Sequence, residues 1–401
     1  MELVPIAAVE EARARLDGVL QRTPIESSRV LSEHVDAPVW LKCENLQRTG
    51  SFKLRGAYNR IARLSDDERE RGVVAASAGN HAQGVALAAA LQHVSATVFM
   101  PVQAPLPKVE ATAAYGAEVR LEGGVFDDTL AVAQEFAEAE GRVFIHPFDH
   151  VDVIAGQGTL GLELLDDVPD LGSVLVPVGG GGLISGIAVA LRARRPDVRI
   201  IGVQAAGAAA VPPSLAAGEP TLAPHVDTIA DGIAVKRPGE LTLAHVRELV
   251  DEVVTVDDAT IARAVVLLLE RAKLVVEPAG AAGVAALLHG VEVAPPAVAI
   301  LSGGNIDPLV MQHLVTSGLT AEGRYVTLRT RVPDEPGQLA RLLGLIGEAR
   351  GNVIAVEHHR YGRRLHLGQV EVIIELEARG EEHIAELLDS IDDAGYPVAT
   401  V

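Results

Sequence analysis

From Val73 onward, the chain alternates short, uniformly apolar runs with longer segments whose apolar residues recur at helical spacing. A run such as Val174-Leu175-Val176 has no alternating polar residue, which is typical of a strand buried on both faces of a parallel sheet. Parallel strands need crossover connections, and helices commonly supply them. The pattern therefore predicts an α/β fold. The expected strands are Val73–Ala76, Ala96–Met100, Glu118–Leu121, Ser173–Val178, Arg199–Val203 and Val298–Leu301.

Three of these strands end in loops made of small, hydrogen-bonding residues. The loops cover Ser77–Gly84, Gly179–Gly182 and Ser302–Asn305. In parallel sheets, ligands bind beyond the carboxyl ends of the strands, where loops lead into helix N-termini. We therefore expect these three loops to form one ligand site.

A single lysine, Lys53, lies between a Gly-Ser turn and the start of a predicted helix, within the segment Ser51–Ala57. Most lysines are solvated surface charges. A desolvated lysine has a lowered pKa, so its neutral amine can condense with a carbonyl. Lys53 is the candidate covalent amine of this chain.

The four consecutive glycines at Gly179–Gly182 could be a flexible linker or a phosphate-binding loop. A buried strand precedes them and a helical pattern, Leu183–Arg194, follows them, so glycine amides and a helix N-terminus converge on one point. The spacing matches neither the P-loop nor the dinucleotide-binding pattern. A small phosphorylated cofactor fits this loop better than a nucleotide.

The pattern changes near Leu319–Arg324, where glycines interrupt the chain. A second unit follows, with the order strand, helix, strand, strand, helix, strand. This is the βαββαβ order of a ferredoxin-like fold. The expected elements are a strand at Tyr325–Val332, a helix to about Ala349, strands at Val353–Arg360 and Leu365–Glu377 around a turn at Tyr361-Gly362, a helix at Glu382–Ala394 and a strand at Pro397–Val401.

Composition narrows the range of partners. The 401 residues carry a formal charge of −20, which repels nucleic acid and anionic membranes. Cys43 is the single cysteine, so an intrachain disulfide is impossible and a reducing compartment is favoured. No signal-peptide pattern or membrane-length apolar run is present. We expect a soluble, cytoplasmic protein.

The segments Ser51–Ala57, Ser77–Gly84, Val178–Leu183 and Leu301–Asn305 resemble the threonine dehydratase (threonine ammonia-lyase) family, over nearly the whole chain. That family has the pyridoxal-phosphate fold type II, in which a catalytic domain has two lobes with parallel sheets. The segment Val332–Leu339 resembles an ACT domain, a common amino-acid-sensing module. The resemblance implies a catalytic domain at 1–320, with a smaller lobe at roughly 50–150, and an ACT regulatory domain at 325–401.

The resemblance implies pyridoxal 5'-phosphate as cofactor, with Lys53 as the Schiff-base lysine and catalytic residue. Phe52 would pack against the cofactor ring, Asn80 would bond its 3-oxygen, and Ser302 would face its nitrogen. The full set of implied cofactor-binding residues is Phe52, Lys53, Asn80, Gly179, Gly180, Gly181, Gly182, Leu183 and Ser302. The implied substrate-binding residues are Ser77, Ala78, Asn80 and His81.

Two of the substrate-binding residues have structural alternatives. Ser77 could act as a helix cap, and His81 could be a packed imidazole rather than a ligand. Asp231 and Glu277 also lie in segments that resemble the family. Asp231 would lie near the substrate hydroxyl and Glu277 near the cofactor ring, or each could bond backbone donors.

The implied reaction is loss of water and then ammonia from L-threonine, giving 2-oxobutanoate, with a role in isoleucine biosynthesis under feedback control. Alternatives are an L-serine dehydratase, a serine racemase-like enzyme and a non-catalytic amino-acid sensor. Racemisation needs a second acid or base on the cofactor face opposite the lysine, and serine racemases carry a serine at the position of Ala78. Alanine cannot transfer a proton, so a dehydratase is favoured. Their metal-binding carboxylates have no counterpart in Gln204–Ala210, so we expect no metal.

The expected effector of the ACT domain is isoleucine or valine, bound near Gly337 and Gly351-Asn352. Alternatively, this module only pairs subunits. A homodimer or homotetramer is expected, because an ACT sheet has edges that can pair. His358 and His359 are adjacent in a predicted strand and face opposite sides, so they do not suit one metal ion.

Overall fold

A computed structural model describes residues 2–360 and 366–401 of the chain. These residues form two units, one ending at Met311 and the other beginning at Gln312. None of the helices in the described ranges is both long and apolar enough to cross a membrane.

The first 321 residues contain fourteen α-helices and ten strands among those described. In chain order they are α1 (Ile6–Leu16), β1 (Ile25–Ser27), α2 (Arg29–Val35), β2 (Val39–Lys42), α3 (Lys53–Ala62), α4 (Asp66–Arg71), β3 (Val73–Ala76), α5 (Asn80–Leu91), β4 (Ala96–Met100), α6 (Leu106–Ala114), β5 (Glu118–Leu121), α7 (Phe126–Ala139), β6 (Val143–Phe144), α8 (Val151–Asp167), β7 (Ser173–Pro177), α9 (Gly182–Arg194), β8 (Arg199–Ala205), α10 (Val211–Ala217), α11 (Glu240–Leu249), β9 (Glu252–Val256), α12 (Asp258–Leu267), α13 (Pro278–Leu288), β10 (Ala297–Ile300) and α14 (Pro308–Ala321).

Two sheets organise the first unit, which confirms the two-lobed α/β prediction. The larger sheet has the order β1-β2-β10-β7-β8-β9, and the smaller has the order β5-β4-β3-β6. Every pairing is parallel except that of β1 with β2. The central strands β3, β4 and β7 are fully buried, as their apolar sequences predict.

The six predicted strands all form. Those assigned to β3, β4 and β5 have the expected bounds, and the other three differ by one or two residues at their ends. The expectation of burial on both faces is wrong for β5, because it lies at the edge of its sheet and its residues are exposed or half-buried. Strands β1, β2, β6 and β9 were not expected, since they are short or carry polar residues.

Glycines allow helix α8 to lie unusually close to its neighbours. A Cβ on Gly156 would lie 2.5 Å from the carbonyl oxygen of Arg55 in α3. A Cβ on Gly158 would lie 2.8 Å from the carbonyl oxygen of Gly186 in α9. Real Cβ atoms do not approach other atoms so closely, so these positions require glycine. Helix α8 is therefore held between the helix that begins with Lys53 and the helix that follows the glycine loop.

The second unit has the predicted βαββαβ order, with β11 (Tyr325–Pro333), α15 (Gln338–Glu348), β12 (Asn352–His359), β13 (Gln369–Glu377), α16 (Glu381–Asp393) and β14 (Val398–Thr400). Its antiparallel sheet has the order β12-β13-β11-β14, and the ferredoxin-like prediction is confirmed. Alternate residues of β11 and β13 are buried against the two helices. The turn expected at Tyr361-Gly362, and the expected strand start at Leu365, lie outside the described residues.

Candidate active site

Two of the motif segments meet directly at the start of α3. Ser51 forms an isolated antiparallel bridge with Gly303, and the backbone N–H of Phe52 donates to the carbonyl oxygen of Ser302 over 3.1 Å. The segment that begins α3 is thus fixed to the loop that follows β10. This contact joins residues separated by about 250 positions, as expected if strand ends converge on one site.

The amine of Lys53 occupies a partly buried position in this site. Its Nζ donates to the carbonyl oxygen of Pro147 over 3.1 Å and lies 5.2 Å from the centre of the Phe52 ring. Burial lowers the pKa of Lys53 to about 8, and the nearby carboxylate of Glu277 opposes this shift. About one-tenth of the amine is therefore neutral at pH 7, far more than for an ordinary lysine, and the neutral form is the one that a nucleophile or base requires.

Helix α5 contacts the backbone of Lys53 through a glycine. A Cβ on Gly84 would lie 3.1 Å from the carbonyl carbon of Lys53 and 3.2 Å from its Cβ. This separation leaves little room for a side chain at position 84. The motif Ser77–Gly84 therefore contributes a close helix contact in addition to its loop.

The loop after β3 leads into α5 without a side-chain cap. Gly79 is the N-cap residue, and Ser77 Oγ accepts a hydrogen bond from the Gly79 N–H over 3.1 Å. The alternative in which Ser77 caps the helix is wrong, because the side chain bonds within the preceding loop. Asn80 is the first helical residue, so the loop presents the N-terminal end of α5, where the dipole favours an anion.

His81 is the second residue of α5 and is buried. Only 5% of the residue is exposed, and its Nε2 lies 2.9 Å from the carbonyl oxygen of Ile145. Burial, with a smaller effect from the charge of Lys53, lowers the pKa of His81 to about 3. A neutral ring that donates to a backbone carbonyl favours the packed-imidazole alternative; the role of His81 as a substrate ligand stays a prediction.

The side-chain amide of Asn80 donates one hydrogen bond and accepts another within the site. Its Nδ2 donates to Oε1 of Glu277 over 2.6 Å, and its Oδ1 accepts from Nδ2 of Asn305 over 2.8 Å. Asn305 also donates to the carbonyl oxygen of Thr49 over 2.7 Å. The Asn80 amide is therefore held in one orientation by partners from two other segments.

The carboxyl group of Glu277 is buried and carries an unusual pKa. Burial raises this pKa to about 7, although the hydrogen bond from Asn80 lowers it in part. The charge of Asp231 also raises it, and Gly232 beside Asp231 would bring a Cβ within 3.4 Å of Glu277 Oε1. Asp231 itself is exposed. Glu277 can therefore exchange a proton near neutral pH.

The glycine loop is surrounded closely by other parts of the chain. A Cβ on Gly180 would lie 2.3 Å from the ring of Phe148, and one on Gly182 would lie 2.9 Å from Phe148 Cβ. Gly181 has φ of +93°, and its Cβ would lie 3.0 Å from Thr242. No described residue accepts a hydrogen bond from the amide groups of 179–182. This loop therefore offers unpaired donors at the start of α9, which suits a phosphate.

Ser302 completes the set of polar groups. The residue is 4% exposed, and among the described residues its hydroxyl has no hydrogen-bond partner. Its oxygen is not among the fully buried side-chain atoms that lack a partner, so the hydroxyl stays accessible to a ligand. This group, the donors of the glycine loop and the amine of Lys53 fit a phosphorylated pyridine aldehyde.

The segment His146–His150 is the part of the site that the sequence did not indicate. Pro147 accepts the hydrogen bond from Lys53, and Phe148 covers the glycine loop. Asp149 accepts from the backbone N–H groups of Glu240 and Thr242 at the start of α11. The sequence feature that could have indicated this part of the site is the dense run of His, Phe and Asp after a short apolar strand.

Comparison with known proteins follows the same division of the chain. Residues 16–303 match the family model "Pyridoxal-phosphate dependent enzyme", and residues 326–393 match "ACT domain". An L-threonine ammonia-lyase of Thermotoga maritima is 48% identical over 400 residues, covering all of both chains. A catabolic L-threonine dehydratase of Escherichia coli is 48% identical over 308 residues, covering 76% of this chain and 94% of that protein. A maize serine racemase structure is 38% identical with a TM-score of 0.74, covering 80% and 99% of the two chains.

Proposed function

This chain belongs to the pyridoxal-phosphate dependent enzyme family and carries an ACT domain, and we propose from that premise that it is an L-threonine ammonia-lyase. The products would be 2-oxobutanoate and ammonia. The observation that carries the proposal is the partly buried amine of Lys53, whose lowered pKa occurs in a site that also contains Asn80, Glu277 and Ser302.

Pyridoxal phosphate, when bound, supplies an aldehyde for an amine and a conjugated ring that accepts electron density from the substrate's Cα. We propose that Lys53 Nζ holds it covalently, that the amides of 179–182 and of Leu183 bind its phosphate, and that Phe52 packs against its ring. Asn80 Nδ2 would bond a ring oxygen. Ser302 would donate a hydrogen bond from its hydroxyl to the ring nitrogen. Such a neutral donor does not enforce a positive charge on that nitrogen.

The chain's own groups can perform the proton transfers. Once its amine is free, Lys53 can remove the proton from Cα of threonine, since a pKa of about 8 raises the neutral fraction well above that of an ordinary lysine. Glu277, with a pKa of about 7, can hold or release a proton beside Asn80. The N-terminal end of α5, with Ser77 and Ala78 in the preceding loop, would bind the substrate carboxylate through backbone N–H groups.

The maize serine racemase match makes serine racemisation the second candidate. Racemisation needs a second acid or base on the opposite side of the substrate from Lys53. The position at which racemases of this family carry a serine is Ala78, which has no titratable group. A dehydratase is therefore the better-supported function. Since one methyl group changes binding by only about 1–3 kcal/mol, serine should be a slower substrate than threonine.

We propose the domain division as 1–320 and 325–401, with isoleucine or valine as the effector of the ACT domain. Gly337, at φ of +91°, is the N-cap of α15 and provides no side-chain cap, so the helix N-terminus favours the carboxylate of an amino-acid ligand. The exposed edge strand β12 favours pairing with a second copy in a homodimer or homotetramer.

The buried thiol of Cys43, whose pKa burial raises to about 12, suits the cytoplasm.

Turnover measurements test this proposal. The purified, cofactor-loaded protein should release 2-oxobutanoate and ammonia in equal amounts from L-threonine, and more slowly from L-serine as pyruvate and ammonia. Added isoleucine should suppress the rate in the full chain. If the rate is the same with isoleucine or valine, the effector proposal is wrong. If no 3-hydroxy amino acid is turned over, the ammonia-lyase proposal itself is wrong.

A further inference from the structure

Arg55 lies two residues after Lys53 in the first turn of α3, and its guanidinium is completely buried. Its Nε donates to Glu44 Oε2 over 2.8 Å and its Nη2 donates to Glu44 Oε1 over 2.8 Å. This is a two-point contact, the geometry that fixes orientation as well as distance. Glu44 is also buried, in the short turn that follows β2.

The opposite side of the same guanidinium contacts helix α8. Nη1 donates to Glu163 Oε1 over 2.7 Å and to Thr159 Oγ1 over 3.1 Å, and Nη2 donates to Glu163 Oε2 over 3.1 Å. All five N–H donors of Arg55 are therefore used. One side chain connects three segments: the turn after β2, the first turn of α3 and the helix α8.

A second layer of charges neutralises this contact. Lys42 Nζ donates to the Thr23 carbonyl oxygen over 3.0 Å and to Asp167 over 2.9 Å, and it lies 3.0 Å from Glu163. Arg22 contacts Asp167 from outside. The cluster thus pairs the cations Arg22, Lys42 and Arg55 with the carboxylates Glu44, Glu163 and Asp167, so it needs no ligand to balance it.

Stability alone is a weak reason for such a cluster. Removing paired charges from water is costly, and apolar residues of similar volume often stabilise a core as well or better. Buried pairs do fix geometry, because each carboxylate and each donor admits few orientations. The location of this cluster indicates which geometry is fixed.

Both partners of the Lys53 contact are connected to Arg55. Lys53 is the first residue of α3, and Pro147, whose carbonyl oxygen receives the Lys53 amine, lies just before α8. Arg55 joins α3 to α8 through Glu163. Close glycine contacts between the same two helices leave no slack, since a Cβ on Gly156 would strike the Arg55 carbonyl.

We propose that Arg55 is a positioning residue that sets the amine of Lys53 against the Pro147 carbonyl by fixing α3 to α8 and to the turn after β2. This inference rests on the proposed function, in which Lys53 is the reacting amine. Arg55 touches neither that amine nor its acceptor in the described structure. Its effect passes through helix placement.

The substitution Arg55→Lys tests the proposal. Lysine keeps the charge but cannot contact Glu44 and Glu163 with two parallel bonds each. We expect kcat for threonine to fall by about tenfold to a hundredfold while KM changes by less than about threefold, because a shift of about 1 Å in a reacting group has effects of this size. A loss of affinity without a change in kcat would overturn the proposal.

A second readout does not need the cofactor. In the cofactor-free protein, the pH dependence of Lys53 acetylation, followed by mass spectrometry, reports the environment of the amine. The wild-type midpoint should lie near 8, and that of Arg55→Lys should rise by at least about one pH unit as water reaches the displaced amine. An unchanged midpoint together with an unchanged kcat would reduce Arg55 to a purely structural role and overturn the proposal.

Arg29→Lys is the control, because the Arg29 side chain is 85% exposed and its ion pair with Glu33 stays within helix α2. It should leave kcat and the acetylation midpoint unchanged; equal effects in both variants would contradict the proposal. If Arg55→Lys does not fold, Thr159→Val removes one of the five hydrogen bonds without changing charge, and the same measurements decide. If wild type does not turn over threonine, the proposed function fails, while acetylation still tests the positioning of Lys53.

Discussion

Asn80 donates a hydrogen bond from Nδ2 to Oε1 of Glu277 over 2.6 Å, which joins the first residue of α5 to the N-cap of α13. Helix α5 follows a strand of the four-stranded sheet, and α13 packs on the six-stranded sheet. The bond therefore links the two lobes at the point where the candidate site lies. It also places a titratable carboxyl group against an amide that is already fixed by Asn305.

The raised pKa of Glu277 predicts that the stability of the cofactor-free protein depends on pH. Folding favours the protonated form, so the contribution is complete below the ordinary pKa of 4.5 and is lost as pH rises through about 7. The loss should be about 3 kcal/mol, from about 1.4 kcal/mol for each pH unit. Glu277→Gln should remove this dependence. The free energy of unfolding is measured by urea unfolding at each pH. The fluorescence of Trp40, the single tryptophan, reports the first unit, which also contains Glu277.

Glu292→Gln is the control for this measurement, because Glu292 is an exposed glutamate of the same unit. Its unfolding free energy should follow the wild-type pH curve. Parallel curves for Glu277→Gln and wild type between about pH 4.5 and 7 would show that Glu277 does not titrate in that range.

Replacement of Lys53 by alanine should abolish covalent attachment of the cofactor. The visible absorbance of the loaded protein should change to that of free pyridoxal phosphate, and kcat for threonine should fall by roughly 10²–10⁴-fold through loss of the base. Absorbance after gel filtration and 2-oxobutanoate release measure the two effects. Lys236→Ala, at an exposed lysine paired with Asp127, should change neither. Retained absorbance in Lys53→Ala would assign the covalent amine to another residue.

Addition of one methyl group to the glycine loop should weaken cofactor binding. In Gly180→Ala the new Cβ would meet the Phe148 ring at 2.3 Å, so the ring or the loop must move. Overpacking of this kind costs about 1–3 kcal/mol, which corresponds to an increase of about fivefold to 150-fold in the Kd for pyridoxal phosphate. Fluorescence titration of the cofactor-free protein measures this constant.

Gly344→Ala is the matched glycine control, since nothing lies within 4 Å of its added Cβ in helix α15. It should leave cofactor binding unchanged and stabilise the helix by up to about 1 kcal/mol. Equal cofactor affinity in Gly180→Ala and wild type would mean that the loop does not need its close contact with Phe148.

Local patterns predicted the strands that are fully buried, such as Val73–Ala76, because their sequences are apolar throughout. Strand β9, Glu252–Val256, escaped prediction because it lies at a sheet edge and contains two polar residues, of which Glu252 is half-buried and Thr255 is exposed. The site could be predicted only where a motif lies in one segment. Sequence proximity gave no indication that Asn80 contacts Glu277, 197 residues away, or that Arg55 contacts Glu163. Such contacts depend on how helices cross, which a linear pattern does not specify.

The substitution His81→Gln tests whether His81 binds the substrate or is only a packed side chain. Glutamine can keep the donor to the Ile145 carbonyl without an imidazole, so His81→Gln should retain the hydrogen bond that the neutral ring makes. We expect KM for threonine to change by less than about threefold, because the N-terminal end of α5 remains intact. The pH dependence of KM between about 5 and 8 should also be unchanged, since the pKa of His81 near 3 keeps the ring neutral throughout that range. A rise in KM of about tenfold or more with unchanged thermal stability would instead place the imidazole on the substrate. Steady-state kinetics at several pH values, with His289→Gln as a control at the end of α13, distinguish these outcomes.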